Sequence, residues 1–275
     1  MKRAIRFSVL VASMFAMVLA AVPAFAQEVT FAYKFEPGTS ERHRVKLNQE
    51  VTMGQMAFSN FADFEVTLAC LSGADGKYAM QMTFDKADIS TTMFGNTSPN
   101  PIAEQMVGQS VAFTIDAVGD VTDVAPVGVF DAWAAAQQIV EPVLRGWYPH
   151  LPGSAVAVGG DWKKAGVKET QASGADALTN ASFKFKAMKK EKGRDVAVVE
   201  QTLDTTLGGT SATPMGTYAI AGTGAGKTEF WFDPAKSRVV KLKGKIDLNM
   251  DMTPQSGGDM VEAVITNHLE RDLLE

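Results

Sequence analysis

Residues Ala221 to Thr228 read AGTGAGKT, a relaxed phosphate-binding-loop pattern whose working end would be Gly226, Lys227 and Thr228. Such a loop works by feeding a helix, whose first N–H groups and positive dipole end meet the phosphates. Here Thr228 is followed by Glu229-Phe230-Trp231-Phe232-Asp233-Pro234, an aromatic strand ended by a proline turn. No strand with a terminal magnesium-binding Asp stands in the usual relation to it. The segment reads as a flexible Gly-rich lead into a strand on which Lys227 faces solvent, and no nucleotide is expected.

Other chemistry is thin. His43, His150 and His268 are far apart, with no carboxylate or second His at ligand spacing, so no metal or cofactor is expected. No Gly-x-Ser-x-Gly elbow occurs, and the carboxylate pairs Asp85/Asp88 and Asp247/Asp251 fall on solvated strands or turns. A hydrolase assembled from scattered Asp, Ser and His is the outside alternative; the expectation is no enzyme. Cys70, the one cysteine, alternates with Phe64, Val66 and Leu68 and reads as a small buried apolar residue. Methionine says more, because Met80/Met82 and Met250/Met252 share strand faces at i, i+2. Thioether pairs of this kind could hold copper(I), but without paired His or Cys they read better as adaptable packing, either core or the wall of an apolar cavity.

The elements that must position these residues are mostly strands. Apolar residues alternate at Val29, Phe31, Tyr33 and Phe35, again at Val45, Leu47, Val51 and Met53, then from Phe64 to Cys70. The turn SGADGK reverses the chain, and Met80, Met82 and Phe84 follow on a fourth strand. PNPIAEQMVG suits a short helix, after which Val111, Phe113 and Ile115 resume the alternation. One longer helix is predicted in FDAWAAAQQIVEPVLRGWYP, with Trp133, Ala136, Val140, Leu144 and Trp147 on one face and Pro142 kinking it. The tail from Met260 to Leu273 fits either period and is assigned to strand on its β-branched run Val264-Ile265-Thr266.

Two halves align. DFEVTLACLSGADGKYAMQMTF matches ASFKFKAMKKEKGRDVAVVEQTL, with turns at Gly76 and Gly193, and VAFTIDAVGDVTDV matches TEFWFDPAKSRVVKL. Asp116 and Asp233 then sit at equivalent strand ends, where a carboxylate caps the turn backbone. The expected fold is mainly β (α+β), long antiparallel strands in a curved sheet or half-barrel built from two similar halves, a central helix covering the concave face.

The first 26 residues carry Lys2, Arg3 and Arg6, an apolar run, and Ala24-Phe25-Ala26 before Gln27. They read as a cleavable signal peptide, which implies a periplasmic or secreted protein with no membrane span after cleavage. The expected organisation is a leader over 1–26, an N-terminal β half over 27–127, a helical linker over 128–160 and a C-terminal β half over 161–275. With 26 basic and 31 acidic residues, three of the basic ones in the leader, the chain will not bind nucleic acid by bulk charge.

The segments YKFEPGTSERHRVKLNQEVTM, GQSVAFTIDAVGDVTDV, WYPHLPGSAVAVGGDW and GKTEFWFDPAKSRVVKLKGKIDLNM resemble an uncharacterised family of exported bacterial proteins. More distantly the plan is similar to the periplasmic lipoprotein-carrier fold, which implies a lipid or acyl-chain cargo. The second half departs at one place, with Ser237 where Gly119 stands in the first. The function expected is therefore a non-enzymatic cell-envelope protein binding a hydrophobic ligand at Met80, Met82, Phe113, Phe230, Phe232, Met250 and Met252. The alternative is a structural or protein-interaction module with a fully packed core, and the partner expected is a lipid or other apolar ligand, or an envelope protein.

Overall fold

The computed structural model describes residues 27–170, 175–213 and 216–274; the expected leader, 1–26, lies outside them. Side chains that are apolar at every second position can be buried only on one face of a sheet, and that period governs most of the chain. The first half gives β1 (Glu28–Thr30), β2 (Ser40–Met53), β3 (Met56–Ala74), β4 (Lys77–Met93), β5 (Asn96–Pro99), β6 (Ser110–Asp116) and β7 (Val121–Pro126). Two helices are described, α1 (Ile102–Met106) and α2 (Trp133–Trp147). The second half gives β8 (Ala155–Ala157), β9 (Asp161–Thr170), β10 (Ala175–Glu191), β11 (Arg194–Thr213), β12 (Gly216–Asp233), β13 (Arg238–Pro254) and β14 (Val261–Leu274). The tail is thus a strand.

One antiparallel sheet holds both halves in the order β7-β6-β4-β3-β2-β14-β13-β12-β11-β10-β9, with β5 beside β4. Strand β14 pairs with β2 from Ala263↔Met53 to Leu274↔Arg42, which joins the two halves in one ladder. The matched segments β3-β4-β6-β7 and β10-β11-β12-β13 run through the sheet in the same sense. The sheet curves without closing into a barrel. Its edges approach each other through side chains, Lys164 of β9 pairing with Asp120 beside β7.

The turns follow local chemistry. Asp75-Gly76 and Lys192-Gly193 both have positive φ, the geometry of a two-residue turn that suits strand twist. Asp116 accepts from the N–H groups of Val118 and Asp120 at 3.0 and 2.8 Å, and Asp233 from those of Ala235 and Lys236 at 3.0 and 3.2 Å. Ser237 takes a left-handed φ of 52°, and Gly119 a positive φ of 97°.

Two segments differ from expectation. Only Glu28–Thr30 of the first alternating run is a strand, paired with β8, while Phe31, Tyr33 and Phe35 continue the alternation as extended chain. Its backbone bonds go to Ser154, Ala117 and Ser237 rather than to a ladder. The AGTGAGKT stretch is not a flexible lead but part of β12, paired on both sides with β11 and β13.

Helix α2 buries Ala136, Val140, Val143, Leu144 and Trp147 in the main core, beside Val45, Phe64, Phe84, Phe113, Phe185, Phe230 and Leu242 from the sheet. Its C-terminal turn crosses β14, where Gly146 lies over Leu269 and Arg271 Nη1 donates to Trp147 O at 2.8 Å. No helix among the described residues is long and apolar enough to cross a membrane.

Candidate functional site

The face that α2 covers can be followed strand by strand, because registers are unbroken beyond the helix on β2, β3, β11, β12, β13 and β14. Val45, Arg271 and Leu242 form one inner row, Leu47, Leu269 and Gly244 the next. Side chains two residues further along each strand share that face. Following this parity outward gives Phe58, Val51, Ile265 and Leu248 as one row, then Met56, Met53, Ala263 and Met250. At about 3.4 Å per residue, Ile265 lies roughly 14 Å beyond Leu269, where the helix end crosses.

These outer rows form an apolar trough. Phe58, Met53, Ile265, Leu248 and Met250 are only half-buried, and Met56 and Met93 are 40% and 42% exposed. In the second half Ala175, Ala177, Leu207 and Ile220 form a cluster against Leu248 and Met250.

Glycine makes room for that packing. Gly222, Gly224 and Gly226 occupy consecutive inner positions of β12 and pair with Met250, Leu248 and Ile246 of β13. A Cβ at Gly226 would stand 2.8 Å from Ile246 Cγ1, one at Gly222 3.0 Å from Met250 Cγ, and one at Gly224 would collide with Leu248 Cδ2. The phosphate-loop-like glycines therefore leave room for their neighbours' side chains. Lys227 points to the outer face and is exposed, as expected.

The expected ligand-binding residues divide between two depths. Met80, Met82, Phe113, Phe230 and Phe232 are at most 2% exposed in the packed main core, which α2 shares with Phe31 and Tyr33. Met250 and Met252 lie beyond the helix, Met250 half-buried on the trough wall and Met252 9% exposed. Met252 pairs with Ile220 and Val261.

Between trough and core runs a polar row that the sequence reading missed. Thr91 Oγ1 donates to Asn60 Oδ1 at 2.9 Å, Asn60 Nδ2 to Gln49 Oε1 at 3.0 Å, and Gln49 Nε2 to Asn267 Oδ1 at 3.0 Å. The four residues are direct cross-strand partners on β4, β3, β2 and β14. A signal was present in each case, a polar residue at the apolar parity, as in Val45-x-Leu47-x-Gln49-x-Val51-x-Met53.

Deeper in the core lies a buried ionic chain. Arg271 is 3% exposed, its guanidinium facing the rings of Trp147 and Tyr148 at 5.6 and 5.3 Å. Its Nε donates to Nδ1 of fully buried His43 at 3.3 Å, whose Nε2 lies 3.4 Å from Glu41 Oε2. Glu41 pairs in turn with Arg238. A neutral His43 with its proton on Nε2 accepts from Arg271 Nε and donates toward Glu41, while Arg271 Nη2 also stands 3.4 Å from Nε2. Burial first, and then the Arg271 charge, hold the His43 pKa well below its usual value, and burial pushes the Tyr148 phenol up to about 12. A cavity of about 10 Å³ beside this chain has room for about one water.

Cys70 is buried, its thiol pKa raised by burial, with Sγ 3.6 Å from Ser72 O. Among the described residues no three His, Cys, Asp or Glu side chains come together as a metal site.

No protein-family model matches the chain, and no curated protein matches it in sequence. Among solved structures, one of lipovitellin concerned with lipid–protein interactions is similar with a TM-score of 0.55 at 12% identity. That likeness covers 88% of this chain but 26% of the other, so the chain spans about a quarter of lipovitellin's. A DUF1329 family protein from Desulfovibrio piger ATCC 29098 aligns over 84% of this chain and 85% of its own at 9% identity, with a TM-score of 0.16. At this identity the lipovitellin likeness shows the fold alone.

Proposed function

We propose that the protein is a non-enzymatic, exported component of the cell envelope that holds a hydrophobic ligand, a lipid or other acyl chain, in the trough beyond α2. The observation that carries this reading is the half-exposed apolar wall formed by Phe58, Ile265, Leu248, Met53 and Met250 around the buried Val51 on the concave face. Side chains of these types each gain about 1.5–3 kcal/mol from full burial, and an aliphatic ligand about 0.8 kcal/mol per methylene covered. A ligand laid along the wall would complete the burial that the helix completes deeper in the sheet. The likeness in fold to lipovitellin, solved in a study of lipid–protein interactions, supports the same reading.

The test is native mass spectrometry with organic extraction, on the chain purified from the envelope fraction of the cells that express it. An acyl compound should co-purify, and Leu248→Asp with Ile265→Asp should abolish it while the circular dichroism of the sheet is kept. A protein that emerges clean, and that rejects apolar dyes and lipids offered to it, contradicts the proposal.

A further inference from the structure

From the amide row outward, no inner-face position of β2, β3, β4, β10, β11, β12, β13 or β14 up to Ser211 on β11 carries a charged side chain. The same strands are heavily charged on the other face, at Glu50, Asp88, Asp204, Lys227, Asp247, Asp251 and Glu262 among others. Across these eight strands the absence of charge is a property of the inner face and not of the strands in general.

The two nearest inner-face cations are both committed. Arg271 lies four residues below Asn267 on β14, buried under Trp147 and Tyr148 and bonded to Trp147 O and His43. Lys164, on edge strand β9, is paired with Asp120. A carboxylate or phosphate drawn into the trough would therefore lose its water and meet no counter-charge, which is strongly unfavourable.

The amide row offers a different partner. The ladder from Thr91 to Asn267 uses one N–H of Asn60 and one of Gln49, and one lone pair on each of three carbonyl oxygens. Each primary amide has two N–H donors and its oxygen two acceptor positions, so donors and acceptors remain on three adjacent strands for an uncharged polar group. All four side chains are half-buried at the inner end of the trough. From Asn267 to Val261 at the rim, six residues of β14 span roughly 20 Å of apolar wall at about 3.4 Å per residue.

Resting on the trough reading above, we infer that the ligand is a neutral amphiphile. It is an aliphatic chain ending in an uncharged hydrogen-bonding group, an ester, amide or hydroxyl, which docks on Gln49, Asn60, Thr91 and Asn267. A free fatty acid in its ionised form is excluded.

The experiment is displacement of a bound apolar dye from the full chain by four probes of one chain length, hexadecane, hexadecanol, methyl hexadecanoate and hexadecanoate, at pH 8. The alcohol or the ester should displace the dye at concentrations about tenfold below hexadecane, and hexadecanoate should be weaker than hexadecane by a similar factor. Whether alcohol or ester is stronger separates a hydroxyl-bearing from an ester-linked ligand. In Gln49→Met/Asn60→Leu, and in the milder Thr91→Val, the advantage over hexadecane should shrink while dye and hexadecane still bind, which also shows that the variant is folded. Hexadecanoate binding as tightly as the ester, or variants that keep the full preference, would overturn the inference and leave the trough standing. Failure of the dye and every probe to bind would overturn both.

Discussion

His43 is buried with no exposure beside the Arg271 guanidinium, and both conditions favour its neutral form. In the unfolded chain it would protonate near pH 6.5. The stability this histidine contributes is therefore fully present above about pH 6.5 and is lost as pH falls from there toward the lower folded pKa, at about 1.4 kcal/mol per pH unit. Urea unfolding between pH 5 and pH 8 should show that loss in the wild type, and His43→Gln should reduce the slope by about one proton. An unchanged slope would mean that His43 titrates alike in both states. Gly119 and Ser237 make a second test at this scale. Both have positive φ, but a Cβ at Gly119 would stand 2.8 Å from the Tyr33 ring and 2.9 Å from Pro149 O. Gly119→Ser should cost about 1–3 kcal/mol, whereas Ser237→Gly should be neutral or stabilising by up to about 1 kcal/mol, measured by chemical denaturation. The unequal substitution that separates the two halves in sequence is then explained by packing around one turn and not the other.

Strand β12 carries the sequence's most misleading motif, and its glycines are explained by β13. Gly224→Val places a branched side chain where Leu248 lies, so it should destabilise by about 1–3 kcal/mol and lower affinity for apolar ligands, since Leu248 would be pushed from the wall. Ala225→Val, one residue on and facing out, should change the urea midpoint little or raise it slightly. Equal effects at the two positions would contradict the inner-wall assignment. Helix α2 is tested by Leu144→Ala, fully buried in the core, with an expected cost of about 2–5 kcal/mol. Much at this scale was legible in sequence. Alternation located most strands, the Gly76 and Gly193 hairpins and the α2 face, because each depends on neighbours within a few residues. The Phe31–Phe35 segment was misassigned to a strand because alternation reports burial of alternate side chains and not what the backbone bonds to.

At the scale of the whole molecule the limit of the sequence lies in depth along the sheet. Met80-x-Met82 and Met250-x-Met252 have the same period and face, yet the first pair is sealed in the main core and the second lies outside it. Periodicity gives a residue's face, whereas the reach of the covering helix depends on where α2 crosses β14. The amide row is harder still to read, since Gln49 and Asn267 are 218 residues apart and only the β2–β14 register joins them. The central claim, that an acyl ligand lies on the inner wall beyond the helix, is tested most directly by neighbouring residues of opposite parity. A photo-crosslinking side chain is placed in turn at Ile265 and Leu248, which face in, and at Val264 and Asn249, which face out. The full chain is then irradiated with a radiolabelled neutral acyl ester. The account predicts label at 265 and 248 and little at 264 and 249, whereas equal labelling at all four, or labelling of the outward pair, would contradict it.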